Sequence, residues 1–227
     1  MSNLINLFKK YRSVGVVGNA NTSKSSFCLS ELIKLKQKVD IEIYILGAEE
    51  NLNEYLESKG INILNSLDDV LDMKITNSLI YIDEFADLYD VKMASKQTSR
   101  IRRFFNRIYH LNNYVLISTA QSKFWNVFMC SLVKAYVVKQ IDYDALVRGT
   151  FLKRKIKNIA GNTSEYRLEA PNNTYFVVTD EEIVEKGTFE YDENLDSKKD
   201  LKNPFLKLDL NLETKLEIKK EENNGLS

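Results

Sequence analysis

Between residue 13 and about residue 180, short apolar runs rich in β-branched residues alternate with segments whose apolar positions recur every three or four residues. The runs are "SVGVVG" (13–18), "IEIYILG" (41–47), "INIL" (61–64), "SLIYIDE" (78–84), "YVLISTA" (114–120) and "KAYVVKQ" (134–140). They are continuously apolar rather than alternating, which predicts strands buried on both faces. Between them, Cys28, Leu29, Leu32 and Ile33 mark one helical face after Lys24. Ile101, Phe104, Phe105 and Ile108 mark another, in a helix predicted over Ser99 to His110. Strands alternating with helices predict an α/β fold, a mainly parallel sheet flanked by helices.

After Gly161 the pattern shortens to "SEYRLEA", "NTYFVVTD" and "GTFEYDE" around a turn at Pro171. These read as antiparallel strands added to the sheet edge. The first domain therefore spans residues 1–190, and 191–227 form a charged linker and C-terminal arm. In that arm Leu206, Leu208, Leu210 and Leu212 keep strict period two. The spacing suits a docking strand or, equally, a disordered tail with chance leucines.

Composition narrows the classes. The 227 residues carry 32 basic and 32 acidic side chains, so no overall positive field draws the chain to nucleic acid or membrane. Cys28 and Cys130 lie far apart with no metal-ligand spacing, which argues against a zinc site or a disulfide framework. The start "MSNLINLFKKYRS" is too short and polar for a signal peptide, and no apolar run approaches the ~20 residues of a membrane helix. A soluble, cytoplasmic protein is expected.

"GNANTSKSS" (18–26) is the stretch with chemistry in it. A phosphate-binding loop reads G-x-x-x-x-G-K-[ST], and Gly18, Lys24 and Ser25 fall in register while Ser23 replaces the second glycine. The loop follows a predicted strand and opens a predicted helix, so a phosphate would meet Gly18, Asn19, Ala20, Asn21, Thr22, Ser23, Lys24, Ser25 and Ser26 at a helix N-terminus. A Cβ at position 23 costs on the order of 1 kcal/mol if φ is positive and nothing if it is negative. Some sixty residues on, "LIYIDEFADL" ends an apolar strand in Asp83 and Glu84. One acid can hold Mg²⁺ through water and the other can polarise the attacking water; a strand running into an acidic helix cap would look the same. "YVLISTAQ" then brings Ser118, Thr119 and Gln121, polar groups suited to sensing a γ-phosphate.

"YIDEFADL" together with "VLISTAQ" after an arginine-bearing helix resembles the FtsK–HerA superfamily of DNA-pumping P-loop ATPases, over roughly residues 13 to 140. The short hydrolysing core is similar to viral genome-packaging ATPases. The resemblance implies a RecA-like (ASCE) sheet, ATP and Mg²⁺ as cofactors, and double-stranded DNA, a viral genome, as substrate in an oligomeric ring, usually a hexamer. It implies that Lys24 contacts the β and γ phosphates, that Ser25 and Asp83 serve the metal, that Glu84 is the catalytic base, and that Gln121 is the sensor. The sequence departs from the family at Ser23 and at Thr119-Ala120-Gln121, where the family has an adjacent Thr-Gln pair. An arginine finger from a neighbouring subunit is also implied, with Arg107 the first candidate and Arg103 the second. A capsid or membrane protein of a virion is a further implied partner, and the host cytoplasm or the virion the implied location.

Elsewhere, "FLKRKIKN" (151–158) offers Lys153, Arg154, Lys155 and Lys157 for phosphate contacts or simply as a solvated surface. His110 reads as a helix-end residue and Trp125 as core. Three other readings compete with a packaging motor. One is a nucleotide-binding structural or regulatory module that has lost turnover through Ser23. Another is a zonula-occludens-toxin-like phage assembly ATPase, which normally carries a membrane helix. The third is a small-molecule kinase, for which no lid signature is present.

Overall fold

Each of the six apolar runs forms a strand; at the centre of the sheet both faces are covered, while the edge run 61–64 leaves Asn62 exposed. The computed structural model describes residues 3–18, 22–72, 75–85, 94–108, 110–119, 133–139, 174–178, 183–190 and 192–195. In chain order the elements are α1 (Asn3–Lys10), β1 (Ser13–Val17), α2 (Lys24–Lys36), β2 (Glu42–Leu46), α3 (Asn53–Ser58), β3 (Asn62–Leu64), α4 (Leu67–Asp72) and β4 (Ser78–Ile82). They continue with α5 (Ala94–Ile108), β5 (Tyr114–Thr119), β6 (Ala135–Val138), β7 (Thr174–Val178) and β8 (Ile183–Thr188). The strands make one eight-stranded sheet in the order β3-β2-β4-β5-β1-β6-β7-β8. It is parallel from β3 to β6 and antiparallel at β7 and β8, the mixed α/β sheet expected from the sequence.

On one face Val14, Val16, Ile43, Ile45, Tyr81 and Val137 pack against Leu4 and Phe8 of α1 and Phe27, Cys28 and Leu32 of α2. On the other, Ile80, Ile82, Val115, Ile117 and Val138 pack against Ile101, Phe105 and Ile108 of α5. Each such side chain contributes about 1.5–3 kcal/mol on burial. Cys28 is fully buried, as a small core residue should be. The sheet also holds together at its polar end: the buried Asn113 accepts from Ser78 N at 3.0 Å and donates to Ile75 O at 2.7 Å, tying the start of β4 to the start of β5.

Three boundaries differ from the sequence reading. α1 was legible in the spacing of Leu4, Leu7 and Phe8, all buried, but its brevity hid it. α5 starts at Ala94 rather than Ser99, since no glycine or proline interrupts residues 94–99, and it stops at Ile108, leaving His110 exposed past its end. The strand expected at "GTFEYDE" lies earlier, at Ile183–Thr188. Thr188 is already paired with Thr174, the first residue of β7, and the next residue leaves the sheet. Phe189 turns its ring into the core beneath α2, edge-on to Phe27 at 5.3 Å. Gly187 suits β8 because a Cβ there would run into the hydroxyl of Tyr175, its partner across the strands. The segment "SEYRLEA", Trp125, Cys130, the basic run 151–158 and the arm from residue 196 lie outside the described residues. Among the described residues no helix is long and apolar enough to cross a membrane.

Candidate functional site

In a parallel sheet the carboxyl ends of neighbouring strands open onto a common crevice, and ligands bind there. Here β1, β4 and β5 are adjacent and end together. β1 delivers buried Gly18, and α2 begins at Lys24; Asn19, Ala20 and Asn21 between them lie outside the described residues. α2 has no side-chain cap bond from Ser23 and no acidic residue in its first turn. Those are the two devices that would otherwise satisfy or neutralise a helix start, so this one is left fit for an anion. Ser25 and Ser26 follow in the first turn, both half-buried, and Thr22 before them is buried.

Ser23 takes φ 57 and ψ 37, the left-handed conformation. The loop thus has the shape that glycine ordinarily supplies, built with a residue that carries a Cβ. Relief of the strain is worth about 1–2 kcal/mol, and glycine's extra chain entropy offsets roughly 0.5–1 of it. Ser23→Gly is therefore expected to raise the thermal midpoint by about 1–4 °C. Ser23→Ala, which keeps the Cβ and loses a hydroxyl that caps nothing, should leave it where it is. A glycine variant that melts lower than wild type would place the strain elsewhere.

Lys24 is only 6% exposed. Burial lowers its pKa, and the carboxylates of Glu84 and then Asp83 work in the opposite direction, so the three groups share one electrostatic neighbourhood. The acidic pair is held from both sides. From β2, Leu46 O accepts the amide of Asp83 at 2.8 Å. The adjoining Gly47 has φ 90, and a Cβ on it would lie 3.0 Å from Asp83 O, so only glycine lets the two chains approach this closely.

From β5, the Ser118 hydroxyl donates to Asp83 Oδ1 and accepts from the Glu84 amide at 3.1 Å and the Tyr81 hydroxyl at 3.2 Å. The Glu84 amide also donates to Asp83 Oδ1 at 3.0 Å. The Thr119 hydroxyl donates to Glu84 Oε1 at 3.0 Å. Glu84 itself sits at φ 40, a strained conformation for a non-glycine residue. Ser118 and Thr119, read from the sequence as phosphate sensors, thus turn their hydroxyls to the acidic pair. They orient Asp83 and Glu84 toward the start of α2.

The structure does not bring every candidate to this place. Gln121 lies outside the described residues. Arg103 and Arg107 are exposed on α5, while Arg100 pairs with Asp68 at 2.7 Å. α5 is 15 residues, about 22 Å, and its last turn is tied into the turn that starts β5 by Leu111 N to Arg107 O at 2.9 Å. Arg107 therefore lies at the far end of the strands from Thr119 and Glu84 of its own chain. One residue escaped sequence reasoning: Gly47 was visible only as the glycine that closes "IEIYILG".

A strand, a loop with a lysine at the head of a helix, and an acidic pair on the second strand over make the fold of the P-loop ATPases. Solved structures share it. The genome packaging NTPase B204 from Sulfolobus turreted icosahedral virus 2, in complex with AMPPCP, matches with a TM-score of 0.53 at 14% identity over 74% of this chain and 92% of that one. The pCW3 conjugation coupling protein TcpA, in its monomer form with ATPγS, gives 0.52 at 15% identity over 88% and 66%. The cytoplasmic domain of the Thermomonospora curvata type VII secretion ATPase EccC gives 0.57 at 11% identity, with 82% of this chain covering 24% of that one. At 11–15% identity these likenesses show the fold, the P-loop ATPase fold that the resemblance in the sequence implies. No protein-family model matches the sequence, and no curated protein does.

Proposed function

We propose that the protein is an ATP-hydrolysing DNA translocase, a viral genome-packaging motor that works as an oligomeric ring. The observation that carries the reading is the convergence of Lys24, at the uncapped head of α2, with Asp83 and Glu84 at the end of β4. The residues suit a magnesium nucleotide. Magnesium keeps several waters and takes one or two protein oxygens beside phosphate, and Ser25 and Asp83 are a hydroxyl and a carboxylate of that kind. When bound, Mg–ATP supplies the transferable γ-phosphoryl group and the metal's charge. The chain's part is to bind, orient and move a proton. Lys24 and the loop amides from Gly18 to Ser26 would hold the phosphates, and Ser25 and Asp83, the latter fixed by Ser118, would hold the metal. Glu84, fixed by Thr119, accepts the proton of the attacking water at a carboxylate oxygen.

Arg107 is too far along α5 to serve its own chain's site, so it serves a neighbour's in the ring, with Arg103 as second choice. The likeness to the packaging NTPase B204 and to a conjugation coupling protein supports double-stranded DNA as the substrate. On this reading residues 1–190 are the motor domain and 191–227 an arm that docks on a capsid or membrane protein, with Gln121 as sensor.

A second reading, a nucleotide-gated structural module without turnover, is favoured by one observation, the left-handed Ser23 in the phosphate loop. Steady-state ATP hydrolysis, measured with and without double-stranded DNA over a range of protein concentration, separates the two. A motor hydrolyses ATP at a rate that rises with DNA and more than linearly with protein. Tight nucleotide binding with no turnover in any condition would overturn it in favour of the module.

A further inference from the structure

Charge is distributed unevenly in a chain whose 32 basic and 32 acidic side chains balance. α5 carries five basic residues and no acidic one. Its apolar side, Ile101, Phe105 and Ile108, is buried against the sheet, which turns Arg103 and Arg107, at i and i+4, out to solvent. The stretch from Glu49 to Ser58 is the reverse, with four glutamates and no basic residue. It comprises a 3₁₀ turn, Glu50–Leu52, that runs into α3. With Leu52 and Leu56 buried, Glu50, Glu54 and Glu57 form an exposed stripe at i, i+4 and i+7. Among the described residues, none of these five charged side chains has an ion pair.

The two stripes cannot meet within one molecule. Leu52 and Leu56 pack with Ile43, Ile45 and Tyr81 on one face of the sheet, and Ile101, Phe105 and Ile108 pack with Ile80 and Ile82 on the other. Between two copies they match. Arg103 and Arg107 are about 6 Å apart along their helix, and Glu50 and Glu54, also four residues apart, are separated by about 6–8 Å. A contact that joins opposite faces of two copies runs head to tail, so every copy gives one stripe and receives the other; contacts of that kind close into rings. The acidic stripe also begins close to the site. Gly47 lies against Asp83, and Glu50 is three residues on, a span of at most about 11 Å.

We infer that the stripe of Glu50, Glu54 and Glu57 is the surface on which α5 of a neighbouring copy docks. Arg103 is a positioning residue held by those glutamates, and Arg107, one turn farther along, is thereby delivered to the neighbour's phosphate site. This rests on the ring reading above. Exposed ion pairs are individually weak and screened by salt, so the contact sets the register of one copy on the next rather than supplying most of the affinity. Register is what a finger in trans needs, because its guanidinium has to arrive at one place beside the phosphates.

The test follows assembly of the full chain by sedimentation velocity with a non-hydrolysable ATP analogue, and ATP hydrolysis by the same preparations. Arg103→Glu is expected to raise the concentration at half-assembly by about tenfold, since it turns attraction into repulsion, and Glu50→Arg with Glu54→Arg to do the same. All three substitutions in one chain make the stripes complementary again, and should bring assembly and hydrolysis back to within about twofold of wild type. An equimolar mixture of the two defective variants, in which copies alternate, should also assemble. Arg103→Gln, which removes the charge without reversing it, stands in if a reversal fails to fold, with a rise of about threefold. Variants that assemble as wild type does overturn the inference alone; if they have also lost affinity for duplex DNA, the arginine stripe is a DNA-binding face instead. A defect that neither the combined chain nor the mixture repairs overturns it too. A wild type that stays monomeric with nucleotide and DNA at every concentration overturns the ring reading and this inference with it.

Discussion

Glu84→Gln is expected to lower ATP turnover by about 10²–10⁴-fold while leaving nucleotide affinity close to wild type. The substitution is nearly isosteric, and a glutamine Oε1 can still accept the Thr119 hydroxyl bond that now reaches Glu84 at 3.0 Å. What it removes is a group able to take a proton from water. The loss should therefore fall on turnover, because the proton moves only in the transition state. Equilibrium binding of an ATP analogue and steady-state hydrolysis, measured on the same preparation, check both halves. A variant that hydrolyses ATP at the wild-type rate would remove Glu84 from the chemistry and leave the acidic pair a structural feature of the strand end. The left-handed backbone at Glu84 adds to the interest of the site, since strain at φ 40 is retained only where surrounding bonds fix it, and here Ser118 and Thr119 supply them.

Much of the fold was open to reading because its parallel strands are buried on both faces. A run such as "SLIYI" has no polar alternation to confuse with a surface strand, and every residue of β4 is buried. Residue types also showed the loop and the acidic pair, since their chemistry is bound to identity and spacing. What stayed hidden was set by contacts across the sheet. That Ser118 and Thr119 serve Asp83 and Glu84 follows from the pairing of Ile82 with Ile117, which no local pattern encodes. The sign of φ at Ser23 was undecidable, because serine takes a negative φ freely and a positive one at a cost of about 1 kcal/mol, and only the loop's closure selects one. Lys139 looked like the polar end of a strand until Phe189 folded back over it, and that fold-back is also why β8 ends earlier than its aromatic pattern suggested.

Lys24→Met is expected to weaken nucleotide binding by about 10²–10³-fold without lowering the melting temperature of the nucleotide-free protein. The first part follows from charge-assisted hydrogen bonds to phosphate, each worth about 1.5–3 kcal/mol. The second follows from the direction of the Lys24 shift. Burial lowers its pKa from the ordinary 10.5, and the attraction of Glu84 and Asp83 does not make up the difference. The fold therefore disfavours the charge that ligand binding uses, as is common where a site is built for function at the expense of stability.

The sign of the pH dependence is the reverse of an ion-paired lysine's. Between the folded value and 10.5 the unfolded chain binds more protons, so stability climbs with pH through that window, and below it the full cost is present. Melting curves from pH 7 to 10 without nucleotide should show wild type gaining on Lys24→Met as pH rises, because methionine carries no such cost to relieve. A methionine variant that melts several degrees below wild type at pH 7 would mean that the carboxylates outweigh burial and that Lys24 is a structural ion pair. Unchanged nucleotide affinity would take Lys24, and with it the loop, out of the site.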